Sequence, residues 1–188
     1  MKIIKKTFVF CTIFSALLYL NPKISYADIH SNTRVFNGVT LNSSVNNSFI
    51  INGTTYYYSN VWEQARKNWH GQAGISLNYS THNWADKYYV GTTSEPNLIG
   101  RVFLVNGYLD YVGMDDYWIF VNAYIYSNTM DSKNMSYAQR ISNATHEIGH
   151  TLKLKHPTDS TKSSVMKQGI QSIGPTSYDY SELKRKWN

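Results

Sequence analysis

The stretch ATHEIGHTLKLKH, residues 144–156, constrains this chain more than any other, because three of its six histidines fall between His146 and His156. Histidines four apart on a helix stand one turn above each other, close enough for both imidazoles to reach one cation. His146 and His150 have that spacing. His156 lies six residues past His150. On a continued helix it would point about 240° away and roughly 9 Å further along the axis. It can join the other two only if the helix ends near Leu152 and the chain doubles back. Pro157 follows at once and prevents the helix from continuing.

The helix itself is legible. Ser136 and Gln139 have the spacing of a capping box, which predicts a helix over 137–152. At about 100° per residue, Tyr137, Ala138, Ile141, Ala144, Ile148 and Leu152 form one apolar stripe, and His146 and His150 face the other way. Such a helix sits in the middle of a molecule, packed behind and facing a cleft in front. Glu147 adjoins the first histidine, where it cannot easily become a further ligand but can hold a metal-bound water. Zinc acidifies that water to about neutrality, and a neighbouring carboxylate takes its proton as it attacks a polarised carbonyl. The chemistry indicated is amide hydrolysis. HExxH alone is short enough to occur on solvated surface helices, and the third histidine is what favours the metal.

These residues resemble a known family. HEIGHTLKLKH is similar to the zinc motif of the metzincin metalloproteases, HExxHxxGxxH, and HEIGHTL in particular to the matrixin branch; Lys153 stands where that motif has glycine. Met166, in SSVMKQG, resembles the methionine of the family's Met-turn. The likeness spans about 56–188, and its specific part is 146–166. It implies an α+β, metzincin-like fold: a twisted, mostly parallel sheet with an antiparallel edge strand, a central zinc-binding helix and a C-terminal helix near YSELKRKW. It further implies one catalytic Zn2+ on His146, His150 and His156, with Glu147 as general base. Polypeptide substrates would add as a strand to a segment within Leu98–Val112. The pocket beyond the scissile bond would be walled by about 167–178.

The chain also departs from that pattern. Gln168 occupies the position of a tyrosine ligand found in some metzincins, and Tyr178 is the nearest downstream candidate to approach the cleft. His30, His70 and His82 lack ligand spacing and are assigned no metal. Asp110, Asp115, Asp116 and Asp131 are read as solvated loop carboxylates, so Ca2+ is unsupported. If the turn after the helix is left-handed, Lys153 is strained there and Lys153→Gly stabilises the protein.

Elsewhere the sequence reads as one domain behind a leader. Residues 1–27 have a basic head, an apolar run from Thr7 to Leu20 and a small-residue exit at Ala27, the pattern of a signal peptide. Its removal would take away Cys11, the sole cysteine, and four of the 18 Lys and Arg but none of the 12 acids. The near-balanced remainder argues against nucleic acid as a partner. A secreted monomer without stable membrane association is expected. Residues 28–55, rich in Asn, Ser and Thr, read as a loosely packed N-terminal arm with room for a first strand, and 56–188 as the metalloprotease catalytic domain. Asn52-Gly53 predicts a tight hairpin, and NVWEQARKNWHG a helix over 61–70 capped by Asn60 with Glu63. ISLNYS, DKYYVGTT, VFLVNGYLDYVG and WIFVNAYIYS read as strands, the third as an Asn-Gly hairpin. Two rival readings accompany the secreted zinc endopeptidase: a peptidase with Glu182 as third ligand, and a secreted, non-catalytic binding protein on a metalloprotease scaffold.

Overall fold

The computed structural model describes Ile29, His30 and residues 34–188, so the expected signal peptide and Cys11 lie outside the described residues. The elements in chain order are β1 (Val39–Leu41), β2 (Ser48–Ile51), β3 (Thr54–Tyr57), α1 (Tyr58–Trp69), β4 (Asp86–Gly91), β5 (Gly100–Val105), β6 (Tyr111–Val112), β7 (Phe120–Tyr126), α2 (Ser127–Ser132), α3 (Tyr137–Thr151) and α4 (Ser177–Trp187). Five strands form one sheet in the order β1-β4-β7-β5-β6. Its inner face, Tyr88, Val90, Ala123 and Ile125, packs on Val61, Trp62 and Ala65 of α1 and on Ala144 and Ile148 of α3 in one continuous core. Trp62 stacks on Tyr88 at 4.6 Å between ring centroids. β7, the nearly continuous apolar run, takes the central place between β4 and β5.

The expected mostly parallel sheet with one antiparallel edge strand is corrected to a mixed sheet. β1–β4 and β4–β7 are parallel, whereas β7–β5 and β5–β6 are antiparallel. For the β5–β6 pair the reason is local to VFLVNGYLDYVG, whereas the direction of β5 against β7 is set by how the sheet assembles. Asn106 accepts hydrogen bonds through Oδ1 from the Tyr108 and Asp110 amides at 2.8 and 3.0 Å, and Leu109 turns left-handed at φ 66°. A turn that folds back this tightly pairs its two arms antiparallel. It needs residues 106–110, a longer turn than the two-residue one that Asn-Gly predicts. At Asn52-Gly53 the two-residue turn does form, with φ of 50° and 78°.

Three other expectations shift. ISLNYS is not a strand: Ile75 and Leu77 are buried, but the segment makes only an isolated bridge from Tyr79 to Val39. α1 starts at Tyr58 without a side-chain cap, because Glu63 is taken up by a two-pronged pair with Arg66 at 2.9 Å and by the Tyr79 hydroxyl at 2.6 Å. The Arg66 guanidinium holds the Glu63 carboxyl down at about 2.

The third shift concerns the arm. Residues 34–48 are packed, since β1 joins the main sheet and Val39 and Val45 enter the core. Arg34 makes this possible. Its Nη2 and Nη1 donate to the Asp86 carboxylate at 2.7 and 3.0 Å, and Nη1 also reaches the Thr151 carbonyl at 3.2 Å. Asp86 Oδ1 additionally accepts from the Val121 amide at 2.9 Å. One buried ion pair thus ties the arm to β4, β7 and the end of α3. Burial pushes the Asp86 carboxyl up, and the Arg34 charge opposes that shift. Removing one partner of such a pair strands a buried charge, at a cost of about 3–5 kcal/mol. Arg34→Ala should therefore lower the urea unfolding free energy by about that much, and Arg34→Met combined with Asp86→Asn should recover part of the loss.

Candidate metal centre

α3 is held at both ends. At its start, Ser136 Oγ accepts from the Gln139 amide and Gln139 Oε1 accepts from the Ser136 amide, the expected capping box. At its end, the Lys153 amide donates to the His150 carbonyl and the Leu154 amide to the Gly149 carbonyl, both at 3.1 Å, with Lys153 left-handed at φ 71°. This is a Schellman turn, and it reverses the chain. The next carbonyls are satisfied by distant groups. Thr151 O accepts from Arg34, Leu152 O from Trp187 Nε1 at 3.0 Å, and Lys153 O from the His30 amide at 2.8 Å.

The reversal delivers His156. The Nε2 atoms of His146, His150 and His156 lie 3.0, 3.1 and 3.2 Å from one another. Among the described residues this is the group of histidines and carboxylates that could hold a metal ion. A triangle of that size has a radius of about 1.8 Å, so a cation about 1 Å above its plane would sit at the roughly 2.0–2.1 Å of a zinc–imidazole bond. The residues present fit such an ion in protonation as well. His146 Nδ1 faces the Val165 carbonyl at 2.8 Å and His150 Nδ1 the Leu154 carbonyl at 3.0 Å. A carbonyl only accepts, so both Nδ1 atoms carry the proton and both Nε2 lone pairs point inward. Burial lowers all three imidazoles, His146 to about 4 and His150 well below its ordinary value, which leaves them neutral near pH 7.

The Val165 carbonyl is itself positioned from α4. Asp179 accepts from the Val165 amide at 3.0 Å and from the Ser164 hydroxyl, while Thr176 caps the helix against Asp179. Met166 follows in the same turn, buried beneath α3; a Cβ built on Gly149 would overlap its Sδ, so any side chain there would displace Met166. A Cβ on Gly100 would likewise press on Glu147 Cγ and Cδ at 2.8 Å, so a side chain there would displace the carboxylate. Glu147 is 5% exposed. Burial pushes its carboxyl up to about 8, and Arg101 pulls it partly back.

The cleft in front of the histidines encloses about 370 Å³. Its walls are residues 97–102, the α3 side chains Ser142 and Asn143, and Gln168, Gly169 and Gln171 beyond Met166. The expected wall at 167–178 is thus supplied by its first half. Tyr178 lies behind Met166 with Leu154 and Ser164. Within the expected segment Leu98–Val112, β6 pairs only with Leu104 and Val105, so Gly100–Val102 has no strand on that side among the described residues while it lines the cleft. Sequence reasoning missed Ser142, Asn143 and Arg101. The first two were findable, one helical turn before His146 and Glu147.

Other candidates lie apart from the cluster. Glu182 is buried on α4, paired with Arg185 at 2.8 Å. His30 meets Asp115, His70 Nδ1 accepts from the Leu77 amide and His82 Nδ1 from the Trp84 amide. Asp116 accepts from the Gly113 amide, and Asp131 pairs with Arg140. Among the described residues, no helix is long and apolar enough to cross a membrane.

Lys153 takes the strained conformation, but its side chain is not in solvent. It is fully buried, with Nζ 2.8 Å from the Trp118 ring centroid and 3.2 Å from the Asp116 carbonyl. Glycine would relieve the backbone and remove this packing, so the expected net gain from Lys153→Gly is withdrawn. Burial, aided by the Lys186 and Arg34 charges, lowers the Lys153 amine to about 7. An unfolded lysine titrates near 10.4, so between these values the unfolded chain holds the extra proton and stability rises with pH. The unfolding free energy of the native protein relative to Lys153→Met should be lowest below about pH 7 and climb from there towards about pH 10.4, as read by denaturant titration at several pH values.

No family model and no curated protein matches the chain. The fold is similar to a chain of the solved structure described as the GM1 bound form of the ECX AB5 holotoxin, over 79% of this chain and 78% of that one, with a TM-score of 0.53 and 16% identity. This corrects the expected metzincin-like fold: the architecture shown by the likeness is a mixed α+β fold shared with a chain of that toxin assembly.

Proposed function

We propose that the protein is a secreted zinc-dependent endopeptidase whose metal motif is of the metzincin type. The observation that carries this reading is the convergence of three imidazole Nε2 atoms beside a buried carboxylate, in a cleft lined by strand backbone. When bound there, zinc would acidify a water and polarise the scissile carbonyl. The chain's own residues account for the rest. Gly100–Val102 offer backbone groups to an extended peptide. The Val165 and Leu154 carbonyls keep His146 and His150 in the ligating tautomer. Glu147 takes the proton of the attacking water and returns it to the leaving amine.

A second reading is favoured by the likeness to the toxin structure, which is a GM1-bound form. Under it the chain is a secreted, non-catalytic protein that binds a glycan. The outer face of the sheet, where Tyr89 stacks on Tyr124 at 4.5 Å and Phe103 meets Tyr111 at 5.4 Å, would then be the candidate surface.

Purified protein should bind one zinc per chain and cleave a mixed peptide library, with activity lost to chelators. Glu147→Ala should retain zinc and lose about 10²- to 10⁴-fold in rate. His156→Ala should lose zinc and Glu182→Ala should keep it; the reverse pattern would make Glu182 the third ligand. Absence of cleavage, together with binding to GM1 vesicles that Glu147→Ala leaves intact, would replace the peptidase by the second reading.

A further inference from the structure

Arg101 stands on β5 between two residues that point to the α3 side of the sheet. A Cβ on Gly100 would meet Glu147, and Val102 packs against the core. Side chains alternate along a strand, so Arg101 points to the opposite face, beside Tyr124, its partner in β7. Its guanidinium is loosely held. Nη2 reaches the two carboxylate oxygens of Glu95 at 3.1 and 3.2 Å, while Nε and Nη1 make no hydrogen bond among the described residues. Both side chains of this pair are open to solvent, Arg101 at 43% and Glu95 at 54%, and exposed pairs of this kind restrain a side chain only weakly.

Arg101 is nonetheless near the reacting centre. It borders the cleft, and its charge is felt at the Glu147 carboxyl. Apart from the histidines, Arg101 and Glu147 are the ionisable side chains of the lining, and Glu147 is buried. Arg101 is therefore the exposed charge that an incoming chain meets.

A peptide laid antiparallel along the open side of β5 must follow the alternation of that strand. Its residues opposite Gly100 and Val102 direct their side chains to the α3 side, and the residue opposite Arg101 directs its own to the face that Arg101 occupies. Directly opposed side chains start about 4.5–5.5 Å apart at Cβ, where opposite charges attract and like charges repel. Two unused guanidinium donors suit a carboxylate, the partner with which arginine makes its stronger, charge-assisted hydrogen bonds.

We infer that Arg101 sets a preference for Asp or Glu at the one substrate position that pairs with it across the added strand. The inference rests on the peptidase reading, with the substrate bound as a strand on Gly100–Val102.

The test starts from an uncharged, acetylated octapeptide drawn from the cleaved members of a mixed library and places Glu, Gln or Lys at each position in turn. At one position Glu should raise kcat/KM roughly two- to fivefold over Gln, with Lys below Gln. About 1 M NaCl should largely erase this difference, because screening then acts over about 3 Å. Arg101→Gln should remove the preference, and Arg101→Glu should invert it in favour of Lys. Cleavage with no acidic preference, with a preference for Lys, or with an acidic preference that Arg101→Glu leaves in place overturns the inference and leaves the peptidase reading intact. If no library member is cleaved, the peptidase reading falls, and calorimetry on the same Glu, Gln and Lys series of an uncharged octapeptide decides the inference. Tighter binding of one Glu peptide that Arg101→Glu transfers to its Lys counterpart supports it; equal binding, or none, overturns it.

Discussion

The site depends on one backbone conformation, the left-handed turn at Lys153. His156 cannot share a centre with His146 and His150 while the helix continues, and the Schellman pair from Lys153 and Leu154 is what turns the chain back. The same turn brings the Leu154 carbonyl under His150 Nδ1, so the reversal that delivers the third imidazole also fixes the tautomer of the second. A non-glycine residue in this conformation costs roughly 1–2 kcal/mol. The surroundings hold it there: Trp118 covers the side chain, while His30, Arg34 and Trp187 bind the carbonyls on either side.

That arrangement makes the end of α3 the meeting point of the molecule. The segment before β1 arrives through Arg34 and His30, the sheet through Asp86, and α4 through Trp187 and, by way of Asp179 and Val165, through His146. Polar groups do this at a place where apolar packing alone could not satisfy the carbonyls that a helix leaves open. The cleft side of α3 is built on the opposite economy. Glu147 and Ser142 are buried with little to compensate them, and Gly100 lets β5 approach the carboxylate.

The mixed sheet places the two functions of its strands apart. β1, β4 and β7 run parallel and carry the core against both long helices. β5 runs against them, and its first residues lie along the cleft with that side open where β6 stops short.

The sequence by itself determined the parts whose partners are close in the chain. Ser136 and Gln139 cap α3, its stripe returns every three or four residues, Pro157 ends it, and Asn52-Gly53 makes its turn; each is a property of a few successive residues. The spacing from His146 to His156 also required the chain to double back soon after Leu152 if three imidazoles were to meet; that the reversal is made at Lys153 is seen in the structure. Only the tertiary structure decided what Lys153 does with its side chain, why Arg34 is buried, which way β5 runs and that Ser142 Oγ lacks a partner among the described residues. Arg34 and Asp86 are separated by 52 residues and Arg34 and Thr151 by 117. Pairings over such distances leave no periodic trace in sequence, because they are set by how the sheet and helices stack rather than by which neighbours a residue has along the chain.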